Sequence, residues 1–214
     1  MSDLTLDSDG LPNGITDQSA VRKRPKPGER RVQILQALAT MLEQPGAERI
    51  TTSALAAKLE VSEAALYRHF ASKAQMFEGL IEFIEQSVFT LVNQIAEREP
   101  NPALRGRRLV VMVLQFAEKN PGMTRVMVGD ALVFENDRLQ ESMNQFFDKL
   151  EVSLKQSLRD AATASGAATP TVDAQVRASV AVAFMVGRLQ RFARSGFKRL
   201  PSEHLEPSLA AILG

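Results

Sequence analysis

The residues whose types and spacing most clearly suit a chemical function lie between Ile50 and Lys73, in the stretch ITTSALAAKLEVSEAALYRHFASK. Two short segments with helical apolar spacing flank a tight turn at Glu60–Val61, which is the pattern of a helix-turn-helix. In that motif the second helix enters the DNA major groove, where its N-terminal residues meet base edges. The chemistry predicted for this stretch is therefore hydrogen bonding to phosphates and bases, not bond making.

The residue types along this stretch suit contact with a polyanion. Thr51, Thr52 and Ser62 would place hydroxyls and backbone N–H groups at helix N-termini, which bind phosphate well. Ala64 and Ala65 are small enough for close approach and can contact a thymine methyl group. The predicted DNA-contacting residues are Arg30, Arg31, Thr51, Thr52, Ser62, Glu63, Ala64, Ala65, Tyr67, Arg68, His69 and Lys73. On periodicity alone, the alternative that these helices are only part of an all-α core stays open.

Charge is unevenly distributed although the net charge is only +1. Residues 1–20 hold four Asp and no Lys or Arg, whereas residues 21–31 hold six cations against Glu29. With three Pro and three Gly and little apolar periodicity, residues 1–28 are predicted to be a disordered extension that ends in a basic arm. Such an arm suits DNA, and a solvated linker is the alternative.

Several function classes are excluded or disfavoured by composition. The chain has no Cys and two His, so thiolate chemistry is excluded and a His-rich metal site is disfavoured. Nucleotide-binding and hydrolase motifs are absent from the sequence, and we expect no catalysis, no metal and no cofactor. No apolar run approaches the roughly 18 residues that span a bilayer. We expect a cytoplasmic protein without a membrane segment.

From Glu29 onward the pattern is one helix after another, without the alternation that strands show. Predicted helices cover residues 29–43, 51–59, 62–70, 72–98, 103–119, 122–134, 137–163, 171–195 and 202–213. Pro45–Gly46 is expected to end the first, and Gly196 the one before last. The helix at 171–195 is apolar on more than one face, which suits burial against both its own core and a partner subunit. The predicted fold class is all-α.

One segment resembles the C-terminal end of the recognition helix in TetR-type regulators. It is the run Leu66-Tyr67-Arg68-His69-Phe70-Ala71-Ser72-Lys73. This resemblance implies a three-helix DNA-binding domain at residues 29–73 and a larger helical dimerisation domain at residues 74–214. It also implies a homodimer, and two-fold symmetry then predicts a palindromic double-stranded DNA site.

Two later blocks, EKNPGMTRVMVGDALVFENDRLQ and RFARSGFKRLP, resemble the nucleoid occlusion branch of this family. The resemblance implies a protein that binds chromosomal palindromes at the nucleoid and then inhibits ring assembly by the division protein FtsZ. The residues that match the FtsZ-tail groove of that branch are Phe83, Met112, Lys119 and Asn120. Lys119 stands where Arg is familiar, and Leu91 stands where a basic residue would help.

Phe83 is unusual on geometry alone. It lies about 120° from the centre of the apolar stripe of its helix, which carries Phe77, Leu80, Ile84 and Val88. Geometry favours a second packing contact for this ring, whereas the resemblance favours an exposed anchor for an acidic peptide. The alternative function is a TetR-type repressor released by a small apolar effector, which would need a cavity of a few hundred Å³. We consider a small-molecule ligand the weaker prediction.

Overall fold

The computed structural model describes residues 28–44 and 50–214, and all regular structure within them is helical. The helices are α1 Glu29–Leu42, α2 Thr52–Lys58, α3 Glu63–Tyr67, α4 Lys73–Arg98, α5 Pro102–Lys119, α6 Pro121–Met127, α7 Asp137–Ala164, α8 Pro170–Arg194 and α9 Leu205–Leu213. The all-α prediction is confirmed. The predictions for the N-terminal extension and for Pro45–Gly46 lie outside the described residues.

The starts of α2, α3 and α4 follow directly from their capping residues. Thr51, Ser62 and Ser72 have extended backbones, and each hydroxyl accepts a bond from the backbone N–H three residues later, at 3.1, 3.3 and 3.1 Å. Glu60, in the turn between these helices, adopts a left-handed conformation with φ of 53°. The Val61 N–H then donates to the Ala56 carbonyl at 3.0 Å, which closes the turn between α2 and α3.

Three predicted helices were wrong in extent. The helix expected at 62–70 ends at Tyr67. The helix expected at 122–134 ends at Met127, because Gly129 has a φ of 82° and interrupts the helical backbone before a 3-10 turn at Asp130–Leu132. The helix expected from residue 202 begins at Leu205, because the exposed His204 is left-handed with φ of 53°. Gly196, with φ of 63°, follows the end of α8 as predicted.

Helical spacing predicts an apolar stripe on α1 made of Val32, Leu35, Leu38, Ala39 and Leu42, and the observed core is centred differently. Ile34 and Leu38 of α1 are buried and belong to the core that includes Leu66 and Phe70. Val32, which periodicity placed on the same stripe, is 44% exposed. It lies at the edge of the buried arc of α1, on the side that faces α4 and α6.

The C-terminal region is built on α7 and α8, which pack along most of their length, with α5 against both. The α7 helix has 28 residues and is therefore about 42 Å long. Their shared core is apolar and buried, and it includes Val110, Val113, Leu114, Phe146, Leu150, Leu154, Met185 and Leu189.

The start of α7 and the end of α8 lie at the same end of this region, next to the N-terminal helices. Glu135, just before α7, is ion-paired with Lys73 at the start of α4. Beyond α8, the Phe197 ring lies under the guanidinium of Arg125 on α6. In turn, Gly122 of α6 packs so closely on α1 that an added Cβ would overlap the Ala39 carbonyl oxygen.

Candidate nucleic-acid interface

The predicted base-reading residues of α3 share one outward surface. Leu66 and Phe70 turn into the core, whereas Tyr67 is 44% exposed. The other exposed members of the predicted set here are Ser62, Glu63, Ala64, Arg68 and His69, and Ala65 is half-buried. The α3 helix therefore presents hydroxyl, methyl, phenol and cationic groups on one face, which is the combination that reads a major groove.

A hydrogen-bond network fixes α3 against α2. The Thr52 hydroxyl donates to a Glu63 carboxylate oxygen at 2.7 Å, and the Tyr67 hydroxyl donates to Thr52 Oγ1 at 3.4 Å. Thr52 and Glu63 were predicted as DNA contacts, and the structure places both in this network. They orient α3, because a shift of this helix would break two bonds at once.

Arg31 joins the start of α1 to the end of α3. Its guanidinium lies 4.1 Å from the centroid of the Phe70 ring and donates to the His69 carbonyl. Arg30, one residue earlier, donates to the Gln33 side chain at 3.0 Å. Both cations thus lie where α1 begins, and the bond from Arg31 holds this helix start against the backbone just after α3.

Lys73 has a partner that sequence reasoning missed. Its ammonium group is ion-paired with Glu135, whose side chain is only 10% exposed, and lies 5.7 Å from the centroid of the Phe77 ring. No local pattern could have identified Glu135, because the two residues are 62 positions apart. The pair links the first turn of α4 to the segment before α7.

The position of Phe83 agrees in part with both interpretations that the sequence left open, a packing contact and an exposed anchor. It is 39% exposed and lines a shallow apolar depression between α1, α4 and α6. The other lining residues are Val32, Leu35, Gln36, Leu80 and Met123. The ring therefore packs against α1 on one side and remains available to a partner on the other. Val32 and Leu35 were missed as site residues because periodicity assigned them to the core.

None of the other predicted groove residues lines this depression. Met112 lines a separate surface depression with Leu104, Arg108, Gln115 and Glu206 among its walls. Lys119 is exposed at the end of α5. Asn120 donates from Nδ2 to the Phe116 carbonyl at 2.7 Å and so caps α5. Asn120 is one turn before Met123, which connects the α5–α6 junction to the Phe83 depression.

Some surface cavities lie away from the filled core. One of about 360 Å³ is formed by α5, α7, α8 and α9 at the end remote from the N-terminal helices, and Arg107 and Arg177 are among its lining residues. Both guanidinium groups are engaged, with Glu206 and with the Leu213 carbonyl. Among residues 28–44 and 50–214, no cluster of three or more His, Cys, Asp or Glu could hold a metal ion. No helix in that same part of the chain has the length and apolarity to cross a membrane.

Two family models match the chain. Residues 34–80 match the bacterial regulatory proteins of the tetR family, and residues 102–212 match the SlmA-like type of tetracyclin repressor-like C-terminal domain. Nucleoid occlusion factor SlmA of Idiomarina loihiensis is 51% identical over 175 residues, which covers 82% of this chain and 89% of that protein. The SlmA of Vibrio cholerae is 50% identical over 178 residues, which covers 83% and 90%.

Solved structures confirm the TetR-like fold. The transcriptional regulator FadR from Bacillus subtilis, in complex with stearoyl-CoA, has a TM-score of 0.69 at 12% identity, covering 86% of this chain and 97% of that chain. A TetR-like regulator from Rhodococcus sp. RHA1 has a TM-score of 0.68 at 22% identity, covering 88% and 97%. At such identities the likeness extends to the fold alone.

Proposed function

This chain belongs to the SlmA-like branch of the TetR family of bacterial regulatory proteins, and from this premise we propose that it is a nucleoid occlusion factor. It is a DNA-binding regulator and not an enzyme. Bound to chromosomal palindromes, it inhibits FtsZ ring assembly over the nucleoid. The observation that carries this proposal is the match across residues 102–212, because DNA-binding helices are common to the whole family whereas the C-terminal likeness is to this branch.

The proposed DNA contacts follow from the exposed face of α3. Ala64 and Ala65 approach base edges and thymine methyl groups, while Tyr67, Arg68 and His69 reach bases or phosphates. The predicted cations at the start of α1 and Lys73 hold flanking phosphates, which position the helix without reading sequence. Thr52 and Glu63 act through the hydrogen bond between them, which fixes α3 against α2.

A homodimer is supported by the outward face of α8. Val172, Val176 and Val180 are about half exposed or more, and they follow each other at four-residue intervals opposite the buried Met185 and Leu189. A valine stripe on an otherwise polar surface marks a protein contact. A two-fold contact through this stripe packs α8 against the α8 of the second copy. The two α3 helices then contact half-sites in inverted orientation.

The proposed FtsZ contact combines the depression around Phe83 with Lys119 and Asn120 at the α5–α6 junction and Met112 on α5. The exposed part of the Phe83 ring provides an apolar anchor, and Lys119 attracts an extended acidic tail. The depression lies where α1 meets α4 and α6, so any movement of the DNA-binding helices against α6 changes its shape. DNA therefore favours the conformation that binds the tail.

Repression released by a small effector is the second candidate function. The observation in its favour is the cavity of about 360 Å³ at the remote end of the C-terminal region. Against it, the core between α5, α7 and α8 is filled by side chains with no exposed surface, such as Val113, Leu150 and Met185. The roughly 50% identical relatives also favour the first function.

The function is tested in two steps with the full chain. Selection from a random duplex pool should recover inverted repeats whose half-sites lie about 10–10.5 base pairs apart, or a multiple of that spacing. Fluorescence anisotropy of a labelled FtsZ-tail peptide is then measured with and without the selected duplex. Tighter binding with the duplex supports the proposal, whereas equal affinity in both conditions would overturn the coupling.

A further inference from the structure

The end of α8 and the turn after it form a strongly cationic surface. Arg191, Arg194, Lys198 and Arg199 are all exposed, and we call them the basic end of α8. The sequence contains no Asp or Glu between Asp173 and Glu203. Within the described part of the chain, none of the four cations has an acidic side chain as a salt-bridge partner.

Stabilisation of α8 itself does not account for this surface. Cations in the last turn of a helix interact favourably with its dipole, which explains Arg191 and Arg194. Lys198 and Arg199 lie beyond the helix, where the dipole has fallen off. Four cations within nine residues repel each other, and a bound polyanion would offset that repulsion.

The turn that carries Lys198 and Arg199 is held rigidly. Ser195 Oγ accepts bonds from the backbone N–H groups of both residues, at 3.1 and 2.9 Å. Phe197 has a left-handed φ of 64°, and its ring packs edge-on against Phe192 with centroids 5.1 Å apart. The cations are therefore presented from a fixed backbone, which suits repeated contact with a regular surface.

The basic end of α8 also lies on the side of the C-terminal region that faces the DNA-binding helices. The Arg125 guanidinium, on α6, is 5.3 Å from the centroid of the Phe197 ring. The Ser202 N–H, just past the surface, donates to Glu118 near the end of α5 at 2.7 Å. Of these two helices, α6 meets the N-terminal helices directly, since Gly122 contacts Ala39 of α1.

The dimer brings two such surfaces together. Arg194 lies on the same side of α8 as Val176, eighteen residues or five helical turns later. In the proposed dimer the valine stripes meet at the two-fold axis, so the two basic ends lie on either side of that axis. They then face the space between the two recognition helices.

We propose that the basic end of α8 is a second DNA-binding surface, which contacts the phosphates that flank the minor groove at the centre of the palindrome. Two α3 helices in successive major grooves lie about 34–36 Å apart on one face of the duplex, and the minor groove between them faces the two-fold axis. Phosphate contacts of this kind add affinity without sequence information. This inference rests on the proposed dimeric DNA binding.

The test compares the full chain with two variants of equal charge change. Arg194→Gln/Arg199→Gln removes two cations from the basic end, and Arg98→Gln/Arg159→Gln removes two exposed arginines from helix ends remote from it. The probe is the palindromic duplex that the unmodified chain selects from a random pool, with binding measured from 50 to 200 mM salt. Each phosphate that is no longer neutralised should flatten the slope of log K against log salt by about 0.9.

If the dimer neutralises two fewer phosphates, the affinity deficit of the Arg194/Arg199 variant should shrink about twelvefold across this salt range. A duplex with neutral methylphosphonates at its central phosphates should lower the affinity of the unmodified chain and leave this variant unaffected. Salt slopes equal to those of the control variant would overturn the inference, as would equal losses of affinity on the modified duplex. A variant that binds DNA normally but no longer binds an acidic protein partner, or that sediments as a monomer, would also overturn it. If the unmodified chain selects no palindrome, the proposed function itself fails.

Discussion

The ammonium group of Lys73 is ion-paired with the carboxylate of Glu135, which joins the first turn of α4 to the segment before α7. Lys73 is a proposed phosphate contact, so a DNA phosphate and Glu135 compete for the same cation. This competition gives DNA binding a direct physical link to the C-terminal region, because a Lys73 that turns toward DNA leaves a largely buried carboxylate without its partner.

Glu135→Gln should therefore raise affinity for duplex DNA. The change removes both a competing acceptor and a negative charge near the phosphates, and we expect a gain of several-fold at low salt. Lys73→Ala should weaken binding to every duplex, and Glu135→Gln should then add little in the double variant. Titrations of all three, with Glu141→Gln on the exposed face of α7 as the control, measure this coupling. A Glu135→Gln variant as weak as Lys73→Ala would show that the intact pair positions α4 for binding.

Arg68→Ala should weaken binding to specific and unrelated duplexes alike if Arg68 holds a phosphate. The slope of log K against log salt should then become flatter by about 0.9 for each phosphate that the variant no longer neutralises. Lys58→Ala, an exposed cation at the end of α2, is the matched control. An Arg68→Ala variant with an unchanged slope but altered sequence preference would instead assign Arg68 to a base edge.

Phe83→Ala should separate the two proposed binding activities. DNA affinity should be retained, whereas affinity for an FtsZ-tail peptide should fall by about tenfold or more, in line with removal of an aromatic anchor. Val152→Ala, an exposed apolar side chain on α7, should leave both activities unchanged. A large drop in melting temperature for Phe83→Ala would show that the ring is chiefly a packing residue between α1 and α4.

Val176→Glu should dissociate the dimer. Val176 is 57% exposed in the single chain, and in a two-fold contact a carboxylate there would face its own copy. Like charges opposed across an interface cost several kcal/mol, so the dimer dissociation constant should rise by about a hundredfold or more. Sedimentation equilibrium measures this dissociation constant, and Val133→Glu, at an exposed position outside the stripe, is the control. A dimeric Val176→Glu protein would place the interface elsewhere.

Gly122→Ala should loosen the contact between the DNA-binding helices and the C-terminal region. The added methyl group would overlap the backbone of Ala39, which cannot move as freely as a side chain. Overpacking of this kind costs about 1–3 kcal/mol in the free energy of unfolding, measured by denaturant titration. Gly106→Ala is the control, because its nearest neighbour is a Leu158 methyl carbon at 3.3 Å. Equal stability of the two variants would contradict the tight contact.

Local signals in the sequence predicted the helix-turn-helix well. The caps at Thr51, Ser62 and Ser72 depend on residues within a few positions, and all three have the expected geometry. The break at Gly129 was missed, because apolar residues continue on both sides of it and periodicity does not register a single left-handed glycine. The left-handed His204 was missed because non-glycine residues seldom adopt a positive φ, so nothing in the local sequence indicated a break there.

The parts of the candidate site that could not be predicted are those made by distant segments. Glu135 reaches Lys73 only once α4 and α7 are packed, and Val32 meets Phe83 only because α1 lies beside α4 and α6. Helical periodicity reports which face of a helix is apolar. It does not report whether an apolar residue at the edge of that face lies in the core or lines a surface depression.

Co-sedimentation of FtsZ polymers with the full chain, in the presence and absence of the selected palindromic duplex, tests the central claim most directly. We predict that the chain together with the duplex lowers the pelleted FtsZ well below the level seen with either component alone, and that Phe83→Ala abolishes this effect. Pelleted FtsZ that is unchanged by the chain and duplex together would contradict the assignment as a nucleoid occlusion factor.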